Sequence, residues 1–386
     1  MSITNYDYII VGAGAAGLNL ALNLKTDAYF KDKHLLIIDK LQKKDNDRTW
    51  SFWEEGSGKW DHLLHKSWNK GVVKAKGKTL KLELKKYNYK TLRSSEFYAY
   101  AKKVLSQPTV TWITDEVLDI QTLDNGAVLQ TKTTKYTADY IFDSRIPSNY
   151  VLEDIQYLNI AQHFKGWVIE TETPVFDDSQ FTMMDYSLKD GKSTSFTYIL
   201  PYSPTQALIE FTYFSPDVVS ENTYDLFLKK YIKEHLQIDH YEVIETEKGI
   251  IPMTSFPFAG FNEEHIIKIG TAGGWVKASS GYSFKNCERK SKQIVEALKL
   301  NQNLNVDSAH FKYKHYDEIF LEVLTKENHF GEELFYRMYK NNSIQTIFRF
   351  LDEESSFGED LQIILNLTSA PFIKGFIRHL KSRLKT

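Results

Sequence analysis

The sequence predicts an α/β protein: a dinucleotide-binding domain interleaved with an antiparallel β sheet and followed by C-terminal helices. Three observations predict it: a strand, glycine turn and helix at the N-terminus, a run of short β-rich segments in the middle, and a second strand and glycine turn at 265–275. The N-terminal unit is YDYIIVGAGAAGLNLALNL, residues 6–24. Gly12 permits the tight turn, Gly14 lets a pyrophosphate approach the backbone, and Gly17 lets the helix pack closely on the strand. The helix N-terminus then attracts phosphate charge. A second apolar run, LLIID, ends at Asp39, about 20 residues beyond the glycines, where a carboxylate accepts ribose hydroxyls. Gly12, Ala13, Gly14, Ala15, Ala16, Gly17, Asp39 and Lys40 are therefore the expected contacts of a bound FAD or NAD. A glycine turn without a ligand would not need strand, helix, second strand and acid in this order.

Further along, the polar run KLQKKDNDR leads into TWSFWEEG, whose aromatic density suits a loop over a cofactor, with Arg48 available to phosphate or flavin oxygens or else solvated. Segments 71–84 and 109–142 alternate as strands, with a hairpin turn at Asn125-Gly126, and 94–105 reads as a helix between them. ADYIFDSR (138–145) is an apolar strand ending in Asp143 and Arg145, where an open α/β sheet presents groups to a ligand. FKGWVIET, QFTMMDY, SFTYILPY and ALIEFTYF, between 160 and 215, suggest a separate antiparallel sheet for substrate. Helix 222–236 follows, then HIIKIGTAGGW returns the chain to the nucleotide, and 288–300, 311–326 and 331–351 look helical. The expected division is 1–60, 91–150 and 245–300 for the nucleotide domain, 61–90 and 151–244 for the β domain, and 301–386 for a helical region.

Composition narrows the function classes. With 48 basic and 50 acidic residues and a net charge of −2, no global field recruits nucleic acid. Aromatic residues make up 14% of the chain, enough to line a large apolar pocket or to build a bulky core. One cysteine, Cys287, and scattered histidines give neither a disulfide framework nor metal-ligand spacing. The first strand begins almost at residue 1 and no apolar stretch reaches spanning length, so the expectation is a cytoplasmic protein that is not integral to a membrane.

Five segments carry a resemblance to the lycopene beta-cyclases of the bacterial carotenoid type. They are GAGAAGLNLA, DRTWSFWE (47–54), QHFKGWVIETETPVFD (162–177), FTYILPYSPTQALIEFTYFS (196–215) and IGTAGGWVKASSGYSF (269–284). The resemblance runs from Tyr6 to Cys287, and the last hundred residues add little to it. It implies a glutathione-reductase-type FAD fold, related to flavin hydroxylases and geranylgeranyl reductases. Relatives of that fold often carry Gly-Asp in the C-terminal flavin strand. Here the pair is Gly270-Thr271, so Gly270, Thr271, Ala272 and Gly273 would meet pyrophosphate or ribitol through backbone N–H groups and a hydroxyl. Family members often have a second acid after the glutamate matching Glu210; this chain has Phe211, which weighs against a two-carboxylate mechanism.

The implied reaction protonates C2 of an acyclic lycopene end, lets the C5=C6 bond attack the C1 cation, and releases the C6 proton. It needs one carboxylic acid kept protonated in a dry pocket, a negative or π-rich wall and a base. Glu210 interrupts the apolar run ALIEFTYF, and desolvation pushes such a carboxyl towards its neutral form. Alternation puts it on one face with Leu208 and Thr212, opposite Ile209 and Phe211. Spacing alone equally allows an outward-facing glutamate, and the resemblance selects the catalytic role. Reduced FAD is the implied active form, its negative charge stabilising the cation, with NAD(P)H as reductant. Trp50, Phe52, Trp53, Trp275, Tyr282 and Phe284 are candidate cation–π walls or plain core, and Glu54, Glu55 and Asp185 second-rank acid or base candidates. PFIKGFIRHLKSRLKT carries Ile373, Phe376, Ile377, Leu380 and Leu384 at helical spacing among Lys374, Arg378, Lys381, Arg383 and Lys385. Such a helix suits either the cytoplasmic membrane surface, where a carotene is collected, or packing on the domain. The rival functions are a flavin monooxygenase or prenyl reductase of the same fold and a non-catalytic isoprenoid carrier.

Overall fold

The computed structural model describes residues 3–152, 154, 156–304 and 311–383. Its first sheet has five parallel strands, in the order Val110–Thr114, Leu35–Asp39, Ile3–Val11, Lys135–Asp143 and Ile266–Lys268. The antiparallel strands Gly126–Thr131 and Val117–Leu123 extend it beyond Lys135–Asp143. The central strand is buried on both faces, as parallel strands usually are. Ile10 packs with Leu18, Phe142 and Trp275 on one side, and Ile9 with Leu129 and Ile141 on the other. The helices Ala15–Thr26 and Phe284–Lys299 lie together on the first of these faces.

The second sheet is interleaved with the first in sequence. Its order is Glu242–Thr254, Asn159–Glu170, Gln206–Ser215, Thr194–Ser203, Phe181–Asp185, Lys70–Ala75 and Lys78–Glu83, all antiparallel except the pairing of Phe181–Asp185 with Lys70–Ala75. Alternation along Gln206–Ser215 sends Ile209, Phe211 and Tyr213 to one face, where helix Glu221–Glu234 covers them with Tyr224, Leu228 and Tyr231. Leu208 and Phe214 face the other way, towards a cluster shared with Phe320 and Phe335 of the C-terminal helices.

Two sequence expectations are corrected. TWSFWEE is not a loop: Thr49–Glu55 is a strand, paired with Tyr87–Arg93, which also pairs with Lys66–Trp68 in a three-stranded sheet. Cross-strand pairs such as Trp53 with Tyr89 give these aromatics sheet partners. The helical stretch 331–351 is two helices, Gly331–Asn341 and Ile344–Leu351, because the Ser343 hydroxyl accepts the N–H of Thr346 at 3.1 Å and starts a new helix. Helices Phe311–Lys326, Phe357–Leu367 and Ala370–Arg383 complete this region. Among the described residues no helix is long and apolar enough to cross a membrane.

Candidate functional site

The glycine turn fits a dinucleotide. Gly12 has φ +99°, and a Cβ there would lie 1.9 Å from Ser144 Oγ. A Cβ on Gly17 would lie 2.0 Å from the Gly12 carbonyl oxygen, so the helix meets the turn with no room for a side chain. Gly14 differs: a Cβ there would meet nothing within 4 Å. The space above it is open, the helix has no side-chain cap, and its first turn holds no acid. Those are the conditions for receiving an anion at a helix N-terminus. Asp39 sits at its strand end, accepting the N–H of Ala13 at 2.7 Å and of Leu41 at 2.9 Å. A carboxylate has about four acceptor sites, so capacity for ribose hydroxyls remains. Lys40 is exposed beside it.

The second glycine turn joins the first. Gly270 has φ +63°, and its Cβ would come within 3.0 Å of the Ala16 Cβ. Thr271, Ala272 and Gly273 follow in a short 3₁₀ turn at the same helix. Asp143 and Arg48 both have partners within the chain. The Asp143 carboxylate is buried and taken up by Arg145, at 2.9 and 3.1 Å, and by Lys268 at 2.7 Å. It ties the end of strand Lys135–Asp143 to the end of Ile266–Lys268, which leads into the second glycine turn. Arg48 is exposed and donates to the carbonyls of Asp47 at 2.6 Å and Lys248 at 3.2 Å, tying the first domain to the second sheet.

Between the second sheet and the C-terminal helices lies a cavity of about 1400 Å³, its mouth included. Phe196, Leu208 and Phe214 line it from the sheet, and Phe320, Phe335, Met338, Tyr339, Ile363 and Leu367 from the helices. Ser279 to Phe284, directly after the second glycine turn, form another wall with Thr49, Trp50 and Ser51. The first of these segments is held by Lys277, buried between Asp317 at 2.9 Å and Glu353 at 3.0 Å. Four hydroxyls at this wall, of Ser51, Tyr89, Tyr198 and Tyr282, form a chain of hydrogen bonds. The Tyr89 hydroxyl lies 2.8 Å from that of Tyr198 and 3.0 Å from that of Tyr282, and Tyr198 donates to Ser51 at 3.0 Å.

Glu210 projects into this apolar cavity with Leu208 and Thr212, on the face alternation assigns it. Burial holds its carboxyl well above the usual range, and the charge of Glu247 and a hydrogen bond with it push the same way. The site thus contains a second carboxyl, contrary to the expectation drawn from Phe211. It comes from a different strand, and Phe211 itself faces away, stacked on Phe227 at 4.6 Å. Sequence reasoning missed Glu247 because it lies 37 residues on, in a segment read only as a route back to the nucleotide. The available signal was Gly166, a glycine inside a strand, which marks close approach of another group.

The remaining candidates divide. Trp50, Tyr282 and Phe284 line the cavity, whereas Phe52 stacks behind Phe284 at 5.2 Å and Trp53 on Phe348 at 4.4 Å. Trp275 faces a different cavity, beside Phe258 and Arg289. Glu54 is paired with Lys90 and Lys285, and Glu55 with Lys86. Asp185 is buried among Tyr231, Ser187 and Lys74. Burial pushes its carboxyl up, but the hydrogen bonds and the lysine outweigh it, and the group is held below the usual range. It is an acceptor, not a proton donor.

Comparisons with known proteins agree with this geometry. The family described as "Lycopene cyclase protein" matches residues 7–375. No curated protein matches the chain. Among solved structures, a geranylgeranyl bacteriochlorophyll reductase-like protein from Thermoplasma acidophilum is similar with a TM-score of 0.64 at 11% identity, covering 97% of this chain and 99% of that one. The flavin-dependent brominase Bmp2 gives 0.59 at 13% identity over 99% and 100% of the two chains. A variant of halogenase PltM in complex with FAD gives 0.60 at 11% over 98% and 92%. At these identities the likeness is one of fold, shared with a flavin-dependent brominase and an FAD-bound halogenase.

Proposed function

The chain belongs to the lycopene cyclase family, and from that premise we propose that it closes the acyclic ends of lycopene or a related carotenoid into beta-ionone rings without net redox change. The observation that carries the reading is Glu210, a carboxyl buried in an aromatic and aliphatic cavity that favours its neutral form. A protonated acid facing a dry polyene is the first requirement of the reaction. The cavity's aromatic lining suits both the polyene and the cation it becomes, which Trp50 and Phe284 can face with π density. FAD fits the glycine cradle, and in its reduced form, maintained by NAD(P)H, would supply negative charge next to the developing cation. Lys277 with its two acids fixes the segment between the second glycine turn and the cavity.

The test is an anaerobic incubation with lycopene, FAD and reductant. The expected product has unchanged mass and a blue-shifted spectrum, and in heavy water it carries one deuterium per ring, because C2 takes its proton from an exchangeable group. NADPH consumption stoichiometric with product, or a change of mass, would replace the reading by a redox reaction of the same fold.

A membrane surface is the proposed place of work. Phe357, Leu361 and Leu365 form an exposed stripe on one helix, and Ile373, Phe376 and Ile377 are exposed on the next. Ile363, Leu367 and Phe372 of the same two helices line the cavity, so its wall continues into the exposed apolar face. Lys374 is exposed there, and 370–386 contains no acid. The side chains of Leu380, Lys381 and Arg383, and residues Leu384 and Lys385 as a whole, lie outside the described residues. Ile373, Phe376 and Ile377 changed together to glutamate, or deletion after Ala370, should reduce binding to anionic liposomes with FAD content unchanged. Unaltered partitioning in both would return the helix to a packing role.

A further inference from the structure

Strand Asn159–Glu170 lies between Gln206–Ser215 and Glu242–Thr254, and its Gly166 stands opposite Glu210 on one side and Glu247 on the other. The three residues form one row across the sheet, so their Cα–Cβ directions share a face. The outer two strands are separated by two strand spacings, about 10 Å, which two glutamate side chains can bridge only over an empty middle position. Gly166 leaves it empty: a Cβ there would lie 2.6 Å from Glu210 Cγ and 3.0 Å from Leu208 Cδ1. Both acids are buried, and Thr49 donates its hydroxyl to Glu247 Oε2 at 2.6 Å, fixing the second carboxylate.

We propose that Glu247 is a positioning residue for the acid, sharing one proton with Glu210 across the gap at Gly166. The inference rests on the reading of Glu210 as proton donor. The pair enters the reaction with one proton and one negative charge. Giving up the proton leaves two adjacent charges in a buried site, a state that strongly favours taking one back. The groups facing the pair are Thr49 from the three-stranded sheet, Tyr198 and Tyr202 from Thr194–Ser203, and Tyr282 from the segment after Gly281. Beyond Tyr202 lie His65, at 4.3 Å between rings, and Arg93, which is paired with Glu245. The tyrosines are held above their usual range, by burial first. His65 is pushed down to about 4 by burial and then by Arg93, so above pH 5 neither it nor the three tyrosines titrates with the carboxyls until strongly alkaline pH.

The experiment is an infrared pH titration of the FAD-loaded protein, following the protonated-carboxyl band that disappears in Glu210→Gln. Because Glu247 raises the Glu210 carboxyl, Glu247→Gln should lower the pH at which the band is lost by at least about one unit. The alkaline limb of any activity profile should move the same way. Glu247→Asp keeps the charge one methylene further back and should give a smaller shift of the same sign; it also carries the test if the glutamine variant fails to fold. A band that titrates as in the wild type in whichever of these variants folds overturns the proposal. The measurement needs no turnover: a shifted band in a protein that does not cyclise lycopene would sink the proposed function and leave the pair standing.

Discussion

Glu210→Gln is expected to lower cyclisation by about 10²–10⁴-fold, the range associated with a positioned general acid, while FAD remains bound. The amide matches the carboxyl in shape and polarity but has no proton of the required acidity. Glu210 lies in the second sheet and the nucleotide cradle is built on the first, so the cofactor's absorbance should be unchanged. Replacing one member of a buried carboxyl pair by an amide also relieves desolvation and repulsion, and the variant should be no less stable than the wild type. The comparison is of single-turnover rates at equal flavin occupancy. Near-normal turnover would remove Glu210 from the acid role.

The second large effect separates two glycines of the same motif. Gly14→Val should abolish FAD binding and leave a folded protein, because its backbone is in an extended conformation at φ −90° and its Cβ meets nothing in the chain. Only the pyrophosphate would occupy that space. Gly17→Val should instead fail to fold or melt far earlier, since its Cβ would lie 2.0 Å from the Gly12 oxygen and 2.9 Å from Ile10 Cγ2. Overpacking of this kind costs about 1–3 kcal/mol, occasionally more. Flavin absorbance after gel filtration and thermal melts of both variants check the contrast. Retained flavin in Gly14→Val would relocate the cofactor.

The glycine turn was legible because each requirement is local: three glycines, a helix and an acid lie within one β-α-β stretch. Glu210 was legible for a similar reason, as a charge in an apolar strand. Glu247 was not, because its significance comes from register. It becomes a partner only once three strands align 210 with 166 and 166 with 247, and no window along the chain contains that row. TWSFWEE was misread because aromatic density does not distinguish a loop over a ligand from a strand whose rings pack on Phe284 and Phe348. The break at Asn342-Ser343 was missed because apolar periodicity continues across it, and only the Ser343 cap reveals it.

The cavity's construction has a consequence for how such a protein diversifies. The glycine turns, Asp39, Glu210 and Glu247 all lie before residue 275, whereas Phe320, Phe335, Met338, Tyr339, Ile363 and Leu367 come from helices after 311. The chemistry lies in one part of the gene, and one whole wall of the cavity in another. Drift in the last quarter of the chain reshapes the wall against which the polyene lies and moves none of these glycines or carboxylates. New substrate lengths and end groups are therefore open to single substitutions there, while the proton donor and its partner are inherited intact.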